Sequence, residues 1–151
     1  ENNQFGMTVP TWQSTSVVNI ADRAVGYGIP GQVVDGNDVV AVYDAFARAK
    51  DRALKGEGPT LLECKTYRWR GHWTGDPEPY RTREEVDEWK EKRDPIKLFQ
   101  AYLLKNKLAT EKELDDISAQ AAEKMSKAVD FAMNSPEPDP SHVLDDVFYE
   151  G

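Results

Sequence analysis

A strand, a long helix and a second strand follow one another in the middle of this chain. The run Gln32-Val33-Val34 is a short apolar strand, and the turn residues Asp35-Gly36-Asn37 close it. A helix capped by Asn37 or Asp38 then runs to about Lys55, and a second strand covers residues 60–64. A helical crossover joins parallel strands, so this pattern predicts a right-handed βαβ unit and an α/β fold. The side chains of this helix expected to face the core are Val39, Val42, Tyr43, Phe46, Ala49, Ala53 and Leu54.

Further helices are predicted on both sides of this unit. Residues 16–27 carry apolar side chains at spacings of three and four, which is typical of one helical face. Three cap signals after residue 82 predict three more helices. These helices are residues 83–92 after the capping box Thr82-Glu85, 96–105 after Asp94-Pro95, and 111–134 after the capping box Thr110-Glu113. The last one has an apolar stripe that we expect to be core or subunit contact: Leu114, Ile117, Ala121, Met125, Ala128, Val129 and Ala132.

The segment 69–82 fits neither periodicity. It contains two glycines and two prolines, and it follows the second strand directly. Ligands bind beyond the carboxyl ends of parallel strands, so this loop leaves the sheet where a site is expected. The stretch 65–72 has three fixed cations and no carboxylate in a chain of net charge −8, which favours an anionic ligand there. Composition alone leaves open that Arg68 and Arg70 are merely solvated or paired at the surface.

Composition also excludes several classes of protein. Nineteen basic residues against 27 acidic ones argue against nucleic-acid binding, which needs a basic face. No apolar run approaches the roughly 18 residues that a membrane span needs, so we expect no membrane crossing. Residues 1–6 have none of the features of a secretory leader. The single cysteine, Cys64, cannot form an internal disulfide, which suits a reducing compartment, and its place in a strand indicates packing rather than a nucleophile.

The chain opens with a polar cluster, Glu1-Asn2-Asn3-Gln4-Phe5-Gly6. Asparagine oxygens and turn carbonyls are hard ligands, and they suit Mg²⁺ when phosphates and a carboxylate supply the remaining charge. No carboxylate of suitable spacing lies nearby, so this chain would hold only part of such a metal site. A plain asparagine-rich turn is the alternative that these residues leave open.

Several segments match one family in the same order along the chain. They are residues 1–7 (ENNQFGM), 27–31 (YGIPG), 34–39 (VDGNDV), 56–63 (GEGPTLLE), 66–72 (TYRWRGH), 76–77 (DP) and 80–85 (YRTREE). By this set the chain resembles the alpha subunit of a thiamine-diphosphate-dependent 2-oxo acid dehydrogenase, of the pyruvate and acetoin dehydrogenase first-component group. In that family the cofactor motif begins at a Gly-Asp-Gly and ends at a paired asparagine, and this chain begins at the pair. The resemblance therefore implies the carboxyl-terminal portion of such a subunit: a partial thiamine-diphosphate-binding fold, with a parallel sheet and flanking helices, followed by a helical extension.

The resemblance implies roles for four residues in cofactor binding and catalysis. It places the side-chain oxygen of Asn3 and the backbone carbonyl of Phe5 on Mg²⁺, which bridges the diphosphate of thiamine diphosphate. It implies that Arg68 helps to hold the loop ordered over the cofactor. It also implies that His72 lies near the diphosphate and the reaction centre and assists reductive acylation of the lipoyl group. A histidine can exchange protons near neutral pH, which suits that task.

The resemblance extends to the rest of the loop. It implies that Asp76, Tyr80 and Arg81 support the structure of the loop or its contact with the lipoyl domain. Regulated mitochondrial relatives carry a phosphorylatable serine directly after the histidine, whereas this chain has Trp73. This difference favours a bacterial, cytoplasmic member without that regulation. His142 matches no family role, so we interpret it as structural.

Two hypotheses of function follow. In the first, residues 1–82 are the carboxyl-terminal half of the cofactor-binding α/β domain, with the active-site loop 68–82, and residues 83–151 are a helical extension and docking tail. The subunit then oxidatively decarboxylates pyruvate, or cleaves acetoin, and transfers the acyl group to lipoamide. Its implied partners are a beta subunit and a second alpha subunit in an α₂β₂ assembly, and the lipoyl domain of the acyltransferase component. The alternative is that the isolated chain is a non-catalytic assembly or dimerisation module.

Overall fold

The computed structural model describes residues 1–149, and the chain divides into two compact units, Glu1–Leu108 and Ala109–Gly151. The strands are β1 (Phe5–Gly6), β2 (Val9–Pro10), β3 (Gly31–Asp35) and β4 (Leu61–Lys65). The α-helices are α1 (Thr11–Ser14), α2 (Val39–Leu54), α3 (Arg83–Lys92), α4 (Pro95–Lys105) and α5 (Glu111–Asn134). Two 3₁₀ helices cover Ile20–Tyr27 and Pro140–His142. The last two residues of the predicted docking tail, 150 and 151, lie outside the described residues.

The predicted βαβ unit is confirmed. Strands β3 and β4 pair in parallel with α2 as the crossover, in a register that runs from Gly31 opposite Leu61 to Asp35 opposite Lys65. Asn2 extends this pairing on the other side of β4. Its backbone amide donates to the Cys64 carbonyl, and its backbone carbonyl accepts from the Thr66 amide, both at 2.9 Å. The start of the chain is therefore fixed at the carboxyl end of β4, where the loop begins.

The helix predicted over residues 16–27 is shorter and tighter than expected. It is a 3₁₀ helix that starts at Ile20, and its first turn is closed by the Asp22 carboxylate, which accepts from the Asn19 amide at 3.3 Å. Only its two small residues, Ala21 and Ala24, are buried. A Cβ atom added at Gly31 would lie 2.2 Å from the Ala21 carbonyl oxygen. Glycine at the start of β3 therefore permits the close approach of the 3₁₀ helix.

Helix α2 begins and ends as predicted, but most of the face assigned to the core is exposed. The Asp38 carboxylate caps it by accepting from the amides of Val40 and Ala41, both at 3.0 Å. Ala45 is buried, whereas Tyr43 and Phe46 are 73% and 62% exposed. The helix packs against the sheet through small residues, since these allow the two backbones to approach. The larger apolar side chains of the predicted face, apart from the half-buried Val42, are exposed: Val39, Tyr43, Phe46 and Leu54.

Each of the three helices after residue 82 begins at its predicted N-cap residue, but the capping box predicted at Thr82 forms only its Thr82 side-chain half. The hydroxyl of Thr82 accepts from the Glu85 amide at 3.2 Å, and the Asp94 carboxylate accepts from the Ile96 amide at 2.9 Å. The Thr110 capping box opens α5, where Glu113 accepts from the Thr110 amide at 2.8 Å. These ends are local patterns, so they could be predicted without knowledge of the packing.

The apolar stripe predicted on α5 is mostly exposed. Leu114 is buried, whereas Ile117, Met125 and Val129 are 62%, 66% and 57% exposed. The chain boundary between the compact units lies after Leu108, so α3 and α4 belong to the first unit. The division by function after residue 82 stays a prediction. Among residues 1–149, no helix combines the length and the apolar composition that crossing a membrane would require.

Candidate functional site

The polar cluster at the start of the chain folds into a tight turn over residues 2–5. The side-chain oxygen of Asn2 accepts from the Gln4 amide at 3.0 Å, and that of Asn3 accepts from the Phe5 amide at 3.2 Å. Gln4 has a φ of 73°, a left-handed conformation that costs energy for a residue with a Cβ atom. The Gln4 side chain donates to the Asn2 carbonyl at 3.0 Å and thereby supports this turn. Asn3 and Phe5 are thus presented on either side of a strained residue.

Arg68 joins this turn to the loop that follows β4. Its amide donates to the Asn3 carbonyl at 3.3 Å, and its guanidinium donates to the Met7 carbonyl at 2.6 Å. The same guanidinium donates to the Tyr80 hydroxyl at 3.0 Å and lies 3.5 Å from Nδ1 of His72. The guanidinium also lies 5.4 Å from the Phe5 ring centroid. Arg68 therefore contacts each of the other three predicted site residues, Asn3, Phe5 and His72. Arg70 is exposed, which agrees with the alternative that it is solvated at the surface. Arg68 is half-buried and hydrogen-bonded, so that alternative does not describe it.

Asp76 braces the loop from within. One carboxylate oxygen accepts from the His72 amide at 2.8 Å and from the Tyr80 hydroxyl at 2.6 Å, and the other accepts from the Glu78 amide at 3.0 Å. Gly71 lies against this carboxylate, because a Cβ atom added there would be 2.5 Å from the Asp76 Cβ. The loop is therefore folded around one acidic side chain.

These contacts shift two ionisations in the loop. Partial desolvation raises the pKa of Asp76, but the hydrogen bonds from Tyr80 and from the His72 and Glu78 amides, together with the Arg68 charge, outweigh it and lower the pKa below its usual value. Desolvation, and the hydrogen bond to the Asp76 carboxylate, raise the pKa of Tyr80. At neutral pH Asp76 is thus a carboxylate and Tyr80 is a neutral donor to it.

Arg81 fastens the far end of the loop to the turn. Its side chain is 1% exposed and forms an ion pair with Glu78 at 2.7 Å, and it also donates to the Arg68 carbonyl. Its guanidinium lies 5.4–5.7 Å from the ring centroids of Phe5, Tyr67 and Tyr80. Cation–π contacts of this kind are stronger when they are desolvated. The loop thus closes on itself through one buried cation.

Tyr67 links the loop to helix α3. Its ring stacks on Trp89 with centroids 5.0 Å apart and meets the Phe5 ring edge to face at 5.5 Å. Burial, with the nearby Glu85 carboxylate, raises the pKa of Tyr67 to about 12, so the phenol is neutral at physiological pH. The first helix of the predicted extension therefore supports the loop directly.

A cleft of about 930 Å³ opens beside these aromatic rings. Its walls include the turn, the β1–β2 hairpin and helix α3, and its lining residues include Gln4, Phe5, Trp12, Lys65, Tyr67, Tyr80, Arg81, Glu85 and Trp89. Phe5 lines this cleft, but Asn3, Arg68 and His72 do not. Those three residues lie outside its walls.

His72 lies on the exposed side of the loop. Its ring is 6.3 Å from that of Trp73, edge to face, and the contact with Arg68 is made through Nδ1. At 3.5 Å this contact lies at the distance limit of a hydrogen bond, and the roles of the two ring nitrogens depend on the tautomer of His72. The His72 ring is thus oriented by the loop while it remains accessible from outside.

The residues present can supply only part of a metal site. Residues 1–149 contain no group of three or more histidine, cysteine or acidic side chains that could hold a metal ion. The oxygen of Asn3 uses one lone pair for the Phe5 amide and keeps a second one, and amide and carbonyl oxygens are ligands that Mg²⁺ accepts. The donor set fits a Mg²⁺ ion that Asn3 and Phe5 would hold with two oxygens, and the remaining ligands would have to come from a diphosphate and from other residues.

Sequence reasoning assigned no role to Glu63 or Met7, which the structure brings to this site. Glu63 is a buried carboxylate bonded to Asn2 at 2.7 Å, and the Met7 carbonyl receives Arg68. An acidic residue within the apolar strand Leu61–Lys65 is the signal that could have indicated Glu63. No side-chain pattern could have indicated Met7, because its contact is made through the backbone.

The parallel βαβ unit, with a polar turn and a braced loop at the carboxyl end of β4, is an α/β arrangement, and in such sheets ligands bind beyond the carboxyl ends of the strands. The family model described as "Dehydrogenase E1 component" matches residues 1–141. The chain belongs to this family of dehydrogenase E1 components, whose members depend on thiamine diphosphate in general.

Curated relatives agree with this membership. The chain is 44% identical over 148 residues to the alpha subunit of acetoin:2,6-dichlorophenolindophenol oxidoreductase from Bacillus subtilis, covering 98% of this chain and 44% of that protein. It is 42% identical over 143 residues to the alpha subunit of the pyruvate dehydrogenase E1 component from Porphyra purpurea, covering 95% and 41%. It is also 42% identical over 153 residues to the alpha subunit of 2-oxoisovalerate dehydrogenase from Bacillus subtilis, covering 98% and 45%. The chain thus spans less than half the length of these relatives.

Proposed function

We propose that this chain supplies the magnesium-binding turn and the active-site loop of the alpha subunit of a thiamine-diphosphate-dependent dehydrogenase. The observation that carries the proposal is the position of Arg68, which contacts the Asn3 carbonyl through its amide and the His72 ring through its guanidinium. One residue therefore couples the turn that would hold the metal to the histidine that would act on the substrate.

The turn is suited to hold Mg²⁺ and, through it, a diphosphate. In this proposal the second lone pair of the Asn3 oxygen and the backbone carbonyl of Phe5 bind the ion. The cationic stretch that contains Arg68 and Arg70 offsets phosphate charge locally, although the chain as a whole has a net charge of −8. Thiamine diphosphate, when bound, supplies carbanion chemistry next to a carbonyl group.

His72 is proposed to move a proton during transfer of the acyl group to lipoamide. With Nδ1 facing Arg68, Nε2 lies on the other side of the ring, so a protonated His72 can donate its Nε2 proton to a reacting sulfur atom and end as a neutral ring. Asp76, Tyr80 and Arg81 would keep the ring in place by holding the loop.

The substrate and the partners belong to the whole subunit, so they are also proposals. We propose pyruvate or acetoin as substrate, a beta subunit and a second alpha subunit in an α₂β₂ assembly, and the lipoyl domain of the acyltransferase component as acyl acceptor. The relatives named for acetoin, pyruvate and 2-oxoisovalerate differ little in identity, at 44%, 42% and 42%, so they do not choose between substrates. Relatives include bacterial, chloroplast and mitochondrial proteins, so the bacterial cytoplasm stays a prediction.

A second candidate function is favoured by the exposed apolar surface. Tyr43 and Phe46 on α2, and Ile117 and Met125 on α5, are each more than 60% exposed. Exposed apolar side chains at helical spacing are typical of interfaces. The isolated chain would then be an assembly module without catalytic activity.

The decisive experiment compares two histidines in the intact enzyme. We expect His72→Ala to slow acyl transfer to lipoamide by 10²–10⁴-fold, the usual contribution of a general acid. His142→Ala is the matched control, because the His142 side chain is exposed and its ring pairs with Asp145, outside the candidate site. Equal activity of the two variants would remove His72 from the mechanism.

A titration separates the enzyme from the assembly module. Residues 1–151 alone are expected to bind thiamine diphosphate and Mg²⁺ weakly or not at all by calorimetry, because they hold only part of the ligand set. Micromolar binding by this chain alone would contradict that expectation.

A further inference from the structure

Glu63 is a buried acid in the middle of an apolar strand. Its side chain is 2% exposed, and its neighbours in β4 include Leu62 and Cys64. Burying a carboxylate is costly unless it is paired and hydrogen-bonded. Its partners therefore indicate what the carboxylate does.

The Glu63 carboxylate joins three separate segments. One oxygen accepts from the Asn2 side-chain amide at 2.7 Å, and the other accepts from the Ala21 backbone amide at 2.8 Å. The Lys65 ammonium lies 4.0 Å from the first oxygen and is itself held by the Asn19 side chain at 2.7 Å. Both carboxylate oxygens are thus used by donors from outside β4.

This pairing fixes which way the Asn2 amide faces. Because its nitrogen donates to Glu63, its oxygen is directed at the Gln4 amide, 3.0 Å away, and at the Thr11 hydroxyl, 3.3 Å away. A flipped Asn2 would set its NH₂ group against the N–H of Gln4. Glu63 therefore determines the acceptor that holds Gln4 in its left-handed conformation, between Asn3 and Phe5.

We propose that Glu63 is a positioning residue for metal binding, acting through Asn2. It touches neither metal nor substrate, and it fixes the turn from which the Asn3 oxygen and the Phe5 carbonyl reach Mg²⁺. The metal-binding part of this inference rests on the proposed function, whereas the ordering of the turn does not.

The first test is Glu63→Gln in the intact enzyme. The glutamine NH₂ group must face either the Asn2 amide or the Ala21 amide, both of which are donors. We expect Mn²⁺, used as a paramagnetic probe in the presence of thiamine diphosphate, to bind about 10- to 100-fold more weakly, as for loss of one charged hydrogen bond. Hydrogen exchange at the Gln4 and Phe5 amides should rise by at least a similar factor.

The second test exchanges the two partners. In the double variant Asn2→Asp/Glu63→Gln, the glutamine NH₂ group donates to the aspartate, and its oxygen accepts from Ala21. The aspartate still accepts from Gln4, and the total charge is unchanged. We expect the double variant to recover most of the Mn²⁺ affinity and of the protection of Gln4. Asn2→Asp alone sets two carboxylates against each other, and it should fail in both measurements.

Glu57→Gln is the control, since it removes the same charge from an exposed carboxylate paired with Arg52. The proposal would be overturned if the Glu63→Gln enzyme stayed within twofold of wild type both in its affinity for Mn²⁺ and in the hydrogen-exchange rate of the Gln4 amide. A double variant as impaired as the single ones would also overturn it, because Glu63 would then act through general stability. If wild type binds no Mn²⁺ but exchange at Gln4 follows the pattern described, the turn-positioning role stands and the proposed cofactor function fails.

Discussion

Replacement of Arg81 by methionine should loosen the active-site loop. The substitution leaves an unbranched, apolar but shorter side chain near the Phe5, Tyr67 and Tyr80 rings and removes the guanidinium with its charge. It takes away a charge-assisted bond to Glu78, worth about 1.5–3 kcal/mol. It also costs about 1 kcal/mol or more for the Arg68 carbonyl that loses its donor.

The expected loss is about 3 kcal/mol in the stability of the closed loop, once contacts of the cation with the rings are included at about 0.5 kcal/mol. We take the low end of each range because the Glu78 side chain is 32% exposed, so water replaces part of the lost pairing. A loss of 3 kcal/mol is roughly a hundredfold change in the opening equilibrium.

Hydrogen exchange at the His72 and Arg68 amides measures this opening directly, since both donate within the site. Arg83→Met is the matched control, because the Arg83 side chain is 90% exposed and lies 3.9 Å from Asp87. Such a surface pair contributes roughly 0–1 kcal/mol. Exchange that rises equally in the two variants would refute the argument that Arg81 closes the loop.

Two further predictions concern the carboxylate that braces the loop. Gly71→Ala should displace Asp76 and increase exchange at the His72 amide, because the new Cβ would lie 2.5 Å from that of Asp76, whereas Gly26→Ala, which meets no atom within 4 Å, should not. Lowered pH should also open the loop. The pKa of Asp76 in the folded protein lies below its ordinary value of 3.8. The Asp76 carboxylate therefore stabilises the loop fully above pH 3.8, and this stabilisation is lost as the pH falls through the lowered pKa. The same exchange followed between pH 6 and pH 3 checks this, and Asp76→Asn should remove that pH dependence.

The sequence predicted those parts of the fold that depend on local patterns. The caps at Thr82, Asp94 and Thr110 are formed by residues three or fewer positions apart, and each is present. The βαβ unit also follows from order along the chain alone. The buried face of α2 could not be predicted, because two apolar faces compete and only packing chooses Ala45 over Phe46.

The candidate site divides in the same way. Asn3, Phe5, Arg68 and His72 were selected through an ordered resemblance, and the structure brings them into contact, although their roles stay predictions. The contacts between them depend on partners that are distant in sequence, such as Asn2 and Glu63, 61 positions apart. Neither periodicity nor spacing reports such a pair before the chain has folded.

The bond from Arg68 to the Met7 carbonyl has a consequence for how partners reach this surface. It joins the β1–β2 hairpin to the loop, so ordering one of them restricts the other and lowers the conformational entropy that the other still has to lose. A protein that binds the hairpin therefore reduces the entropic cost of ordering the loop, even if that protein makes no contact with the loop. Two partners that approach from different directions would thus assist each other's binding.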